Sequence, residues 1–212
     1  MQRDPITTAR VIAAAAAVAD RAGLAAVSMR SVGRELGVEA MSLYHHVANK
    51  AALLDGLADW VFERFEPPPA EADWRTAITA RTASVRAVLT AHPWALGLVD
   101  SRDHPGPAVL RHYDAVLGCL YRGGFSATTA AQAFSVLDAY AYGFALTERN
   151  LPFDAASGAN DFAAELTLPT EDYPHLAHLL STVTGAGDYS FAAQFAIGLD
   201  IILDGLERLR DG

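Results

Sequence analysis

Three observations predict an all-α fold. Alanine supplies about a fifth of the 212 residues, and Leu, Arg and Glu are common; all are strong helix formers. Apolar residues recur at helical spacing, with no alternating β-branched run between turn signals to mark a strand. Gly, Pro and capping residues punctuate the chain at intervals suited to helices of ordinary length.

Taken in order, Thr7 or Thr8 can cap a first helix reaching Ala22, stopped by Gly23 in the left-handed conformation. Ser28 caps a short helix through Leu36, and Gly37 ends it. A second short helix covers 39–47. Asn49 then caps a longer helix, 50–65, which Pro67-Pro68-Pro69 forces to stop. Beyond the triple proline, helices are predicted at 73–91, 93–99, 107–122 and 127–149. The breaks between them fall at residues 103–107 and at Gly123-Gly124. Residues 151–170 are rich in Pro, Gly, Ser, Asn and Asp with little periodicity, and read as a mobile loop. Helices at 171–182 and 189–210 complete the chain.

Size and composition narrow the class. The chain is long enough to bury a real core and too apolar, at 51% hydrophobic, to be disordered. One cysteine excludes a disulfide scaffold and a Cys-based zinc module, and suits a reducing compartment. No signal-peptide core opens the sequence, and its longest apolar run is about half a membrane span. A soluble, cytoplasmic protein is expected. The net charge of −9 is unevenly spread: residues 1–50 carry +2 and residues 51–212 carry −11. That asymmetry predicts two parts with different partners. The expected division is residues 1–50, a connecting helix at 50–65, and residues 66–212.

The first part contains a helix-turn-helix. Residues 28–47 read SMRSVGRELGVEAMSLYHHV. Met29, Val32 and Leu36 line one face of the first helix, Gly37 supplies the turn, and Val38, Leu43 and Val47 answer from the other side. The second helix exposes Ala40, Met41, Ser42, Tyr44, His45 and His46, a surface able to read a major groove by apolar contact, hydroxyl and imidazole. Lys50, the only lysine in the chain, opens the next helix, whose free N–H groups and positive dipole end favour a phosphate. Arg30, in the first turn of the preceding helix, can reach a base edge or a phosphate. So few cations per subunit imply modest affinity from each half and specific binding by two subunits.

These residues carry a resemblance. The stretch from ARVIAAAAAVADRAGLAAV through SMRSVGRELGVEAMSLYHHVANKAALLDGLADWV resembles the DNA-binding domain of the TetR family of transcriptional repressors. It covers about residues 8–60, most closely through SLYHHVANKAALLDGLA. HPWAL, the GGF break, AYGFAL and the closing FAIGLDIILDGLERL are similar, more loosely, to that family's C-terminal domain. The resemblance implies a homodimer that inserts paired recognition helices into successive major grooves of a double-stranded operator. It further implies an all-α core that takes a small-molecule effector. It gives Arg30, Ala40, Met41, Ser42 and His45 as base-reading positions and Tyr44, His46 and Lys50 as phosphate contacts. Gly33 departs from the family's usual alanine, which either weakens its helix or lets the helices pack closer.

The acidic part offers less specific signals. Phe191, Phe195, Leu199, Ile202, Leu206 and Leu209 form a sustained stripe on the last helix, widened by Ile201 and Leu203. Phe134, Leu137, Ala141, Phe144 and Ala145 do the same on 127–149. Two wide-faced helices suggest burial within the subunit on one side and against a second copy on the other. Candidate pocket residues are His92, Trp94, His104, His112, Tyr113, Asp138, Tyr142 and Glu148, aromatics with a few polar groups. The acidic ones favour a cationic or hydroxyl-rich effector. Glu171, His175 and His178 share i, i+4, i+7 spacing, a pattern open to a metal or to an ordinary solvated face. Cys119 reads as a small core residue. No Walker loop, nucleophile elbow, zinc-protease pair or dinucleotide fingerprint is present, so neither a catalytic residue nor a cofactor is assigned. The expected function is a ligand-released repressor. A helical small-molecule-binding protein or enzyme with a vestigial helix-turn-helix is the alternative, and repression and activation are not distinguished.

Overall fold

The computed structural model describes residues 5–99, 105–166, 168–186 and 189–211, and every regular element among them is helical. The chain forms two compact units, one running to Tyr142 and the other starting at Gly143.

The first unit opens with α1 (Thr8–Ala22), whose N-cap Thr7 accepts a hydrogen bond from the Arg10 amide. Its apolar face, including Val11, Ala15 and Ala19, is buried. Gly23 ends it with φ +78° and ψ 165°, positive as expected but extended rather than left-handed helical. Ser28 and Ser31 build a reciprocal capping box for α2 (Met29–Leu36). Gly37 ends α2 in the left-handed conformation. The next helix, α3 (Ala40–Leu43), is one turn long; residues 44–46 continue as turns rather than helix. Leu43 and Val47 are both buried, so the apolar pattern that predicted 39–47 is a packing pattern on a tighter path.

The close packing permitted by Gly33 is visible directly. A methyl group there would stand 2.9 Å from the Val38 carbonyl oxygen and 3.2 Å from the Ala40 amide nitrogen. Both are backbone atoms that cannot swing aside, so glycine sets how tightly α2 lies against the turn and α3.

Asn49 caps α4 (Lys50–Phe62) by accepting from the Ala52 amide at 2.9 Å. This helix ends three residues before the predicted limit, and Phe65 is buried beyond it. Leu53, Leu57, Val61 and Phe62 bury one side of α4, which packs on both α1 and α6. Asp73 caps α5 (Trp74–Ala91), followed by a 3-10 turn at Pro93–Gly97. Pro107 opens α6 (Pro107–Arg122), and α7 (Ala127–Arg149) runs from this unit into the second. Cys119 is buried on α6, as its apolar setting predicts.

The start of α6 is capped from a distance. Gly106 has no side chain to offer, and the Asp59 carboxylate of α4 accepts from the Ala108 and Val109 amides at 2.8 and 3.2 Å. A methyl group on Gly106 would lie 2.4 Å from Asp59 Oδ1. A carboxylate on free helix N–H groups also meets the positive dipole end. Asp59→Ala should therefore cost about 1–2 kcal/mol, the usual scale for losing a cap, measured by urea unfolding. A loss below a few tenths would show that water replaces the carboxylate.

The second unit holds the end of α7, then α8 (Ala159–Glu165), α9 (Pro174–Ala186) and α10 (Gln194–Asp211). The presence of α8 corrects the expectation of a structureless loop at 151–170. Asp154 Oδ1 accepts from the Ala156 and Ser157 amides, and the Phe153 and Phe162 rings meet with centroids 5.2 Å apart. Short-range turn chemistry and one aromatic pair order a segment whose composition alone suggested none. The predicted start of α9 is also corrected. Glu171 lies in a turn before Pro174, so it does not share a helical face with His175 and His178. Likewise α10 begins at Gln194; Phe191 precedes it, yet its ring stacks on Phe144 at 4.8 Å while Phe195 meets that ring edge-on. The buried stripe of α10 is Phe195, Leu199, Leu203 and Leu206. Leu209 of the predicted stripe is exposed, as are Ile197 and Ile201.

Candidate nucleic-acid interface and interior site

Arg30, Met41, Tyr44, His45 and Lys50 are exposed, while Ala40, Ser42 and His46 are half-buried. Met41, 73% exposed, is the most exposed large apolar side chain described. Such a residue on a four-residue helix has no core to join, which fits contact with a partner. Two devices hold this surface. Leu43 and Val47 anchor it from below, and Thr8 Oγ1 on α1 donates to the His46 carbonyl at 3.2 Å. Lys50 stands at the first position of α4, where a cation opposes the helix dipole by a few tenths of a kcal/mol. Its charge and the dipole would act together on an anion.

The predicted pocket residues separate into different places. His92 and Trp94 lie against α1: His92 Nδ1 is 2.7 Å from Asp20 Oδ1, and Trp94 Nε1 donates to the same oxygen at 2.5 Å. Trp60 of α4 meets the His92 ring edge-on, and the Arg64 guanidinium lies 3.1 Å from the Trp60 ring centre. These contacts tie the segment after α5 to α1 and α4. Glu148 belongs to the second unit, and His104 lies outside the described residues.

His112, Tyr113, Asp138 and Tyr142 belong to the first unit, and three of them gather around a residue the sequence reading missed. Arg81 of α5 is fully buried; its Nε and Nη2 lie 3.0 and 2.6 Å from His112 Nε2, and Nη2 lies 2.7 Å from Asp138 Oδ1. Tyr142 donates its hydroxyl to Asp138 Oδ2 at 3.3 Å. Burial, reinforced by the Arg81 cation, drives the His112 pKa down to about 3. Burial and then the Asp138 carboxylate push the Tyr142 hydroxyl far above its ordinary value. The ring is therefore neutral and the phenol stays protonated. Asp138 already answers a buried guanidinium, so it is not the open carboxylate expected to attract a cationic effector.

Two cavities open beside this cluster. One, of about 480 Å³, is lined by Phe62, Phe65, Pro67 and His112, with Glu63, Arg111 and Asp114 among its polar residues. The other, about 150 Å³, is lined by Ala58, Phe62, Leu98, Val99, Val109 and Tyr113. Phe62, at the last position of α4, borders both. One helix thus carries Lys50 at one end and a cavity wall at the other, about 18 Å apart at 1.5 Å per residue.

Residues 11–57 match the family model described as bacterial regulatory proteins, tetR family, and residues 66–210 match the tetracyclin repressor-like C-terminal domain. The chain belongs to the TetR family. TetR-family regulators bind DNA through the helix-turn-helix, and this chain is accordingly a DNA-binding transcriptional regulator. It is 33% identical to the HTH-type transcriptional repressor DrrR1 of Streptomyces coeruleorubidus, across 96% of this chain and 78% of that one. The class A tetracycline repressor of transposon 1721 in Escherichia coli is 30% identical over 94% of this chain and 90% of its own. Among solved TetR-family structures, ActR of Streptomyces coelicolor in complex with actinorhodin superposes with a TM-score of 0.78, at 29% identity over 95% of each chain. Among the described residues, no helix is long and apolar enough to cross a membrane, and no group of three or more His, Cys, Asp or Glu could hold a metal ion.

Proposed function

We propose that this chain is a ligand-released repressor that binds a palindromic operator as a homodimer. Residues 1–50 form the reading head, α4 the connection, and residues 66–212 the effector and dimerisation part. In each head Arg30, Ala40, Met41, Ser42 and His45 face base edges, and Tyr44, His46 and Lys50 take phosphates. The observation that carries the reading is α4, which joins the phosphate-facing Lys50 to Phe62 in the walls of both cavities.

Dimerisation is supported by apolar side chains left in water within one chain. In the second unit Leu146 on α7 is 47% exposed, and Ile197 and Ile201 on α10 are 54% and 66% exposed. A second copy would cover them in an isologous contact. The acidic remainder of the chain would repel DNA except where the heads point.

Release requires a ligand that prefers the arrangement with wrongly spaced heads; equal affinity for both arrangements would shift nothing. The contacts that carry such a preference are Asp59 on the first turn of α6 and Asp20 on His92 and Trp94. Selection from random duplexes should enrich an inverted repeat, and the protein should lower transcription from a promoter that carries it. A compound that fills the core should then reduce operator affinity. If no duplex is enriched, the reading fails; an operator whose affinity no bound compound alters would leave a repressor without a ligand switch.

A further inference from the structure

The chemistry of the 480 Å³ cleft follows from what its histidine is made to do. Guanidinium groups have only N–H donors, so His112 Nε2, approached by both Nε and Nη2 of Arg81, must be an acceptor. A neutral ring whose Nε2 accepts carries its proton on Nδ1. Arg81 therefore fixes the tautomer and makes the ring a donor. The lone pair that a metal ion would need is already engaged, and a divalent cation there would face a buried guanidinium. Arg81 Nη1 is buried without a hydrogen-bond partner, so the cluster has donors to spare. Around it the walls are aromatic: Phe62 and Phe65 meet at 4.9 Å, and each lies within 5.5 Å of the His112 ring. Glu63 and Asp114 line the same cleft against one cation, Arg111, a balance that disfavours a negatively charged ligand.

We infer that this cleft binds a flat, uncharged aromatic compound through a carbonyl oxygen accepting from His112, with no metal ion between them. This rests on the effector reading above and gives that site its ligand class. An ammonium has no lone pair for the Nδ1–H and would stand near Arg81. A carboxylate would meet Glu63 and Asp114. A carbonyl escapes both costs, and its ring system can lie against Phe62 and Phe65.

The test uses the full chain with 9-fluorenone, a planar ketone, and its amine counterpart 9-aminofluorene, cationic at pH 7, in equilibrium dialysis with EDTA present. Fluorenone should bind at least tenfold tighter than the amine, and replacing EDTA by magnesium should change its affinity less than twofold. His112→Gln, which offers an acceptor to Arg81 and a donor to the cleft, should stay within about threefold of wild type. His112→Leu should lose tenfold or more for fluorenone and little for the amine. Nitrogen-15 NMR of the wild-type imidazole, which needs no variant to fold, should show the proton on Nδ1 at pH 6. Equal or reversed preference, no fluorenone binding up to its solubility, a tenfold gain from magnesium, or a proton on Nε2 each overturns the inference. Operator affinity is read separately. Fluorenone bound without release of DNA would sink the ligand-released reading and leave this one standing; release by some other compound with no fluorenone binding would do the reverse.

Discussion

Replacing Arg81 by leucine should destabilise the protein by about 3–5 kcal/mol, because it strands the buried Asp138 carboxylate without the guanidinium that neutralises its charge. The double replacement, Arg81→Leu with Asp138→Leu, should recover at least half of that loss, since no unpaired charge is left behind. Urea denaturation at pH 7 measures both; a single-variant loss below about 1 kcal/mol would contradict a structural role for the pair. The same cluster sets an acid sensitivity. His112 is held near pKa 3 in the folded chain and returns to about 6.5 when unfolded. The unfolded chain therefore binds the extra proton between those values, and stability falls as the pH drops. The contribution is complete above about pH 6.5, smaller by about 2 kcal/mol at pH 5, and gone near pH 3. His112→Gln should flatten that part of the stability profile.

Changing Tyr44 and Lys50 together to alanine should lower operator affinity by at least a hundredfold and leave the fold intact. Both side chains are exposed, and surface changes of that kind move stability by about 0.5 kcal/mol or less. Lys50→Ala alone should reduce the salt slope of binding by about 2, one phosphate contact in each subunit of the proposed dimer. Tyr44→Ala should weaken binding while leaving that slope nearly unchanged, because it removes a hydrogen bond and not a charge. Filter binding over a range of salt concentrations separates the two. A slope that Lys50→Ala leaves intact would mean the lysine does not meet a phosphate.

The two parts of the chain were not equally legible. The head is written in local terms: Thr7, one of the two threonines expected to cap α1, does so, Ser28 and Asn49 cap α2 and α4, and Gly37 takes the left-handed turn. Each is a short-range rule that needs no knowledge of the rest of the molecule. The interior site was only half visible. Asp138, His112 and Tyr142 stand out in the sequence as pocket candidates, whereas Arg81, which organises them, does not. Arg81 sits three residues after Ile78 and four before Val85, both fully buried, so its place on an apolar stripe was a readable signal that a partner carboxylate must exist. His92 and Trp94 read as pocket residues in the sequence because aromatic composition says nothing of direction; only the fold brings Asp20, distant in sequence, to both of them. The same limit applies to α8, where Phe153 and Phe162 find each other across a segment with no repeating pattern.

The borrowed cap on α6 constrains how such a protein can be recombined. A chimera cut at the triple proline, giving this head to another core, would carry Asp59 away and leave Gly106 behind. The donated carboxylate would meet whatever side chain the new core has there, and the abandoned helix would begin with open N–H groups. Heads and cores are thus exchangeable only as matched pairs at these two positions, or with the junction placed before Asp59. Compatibility at this joint is a filter on which operators can be brought under the control of which effectors by swapping parts.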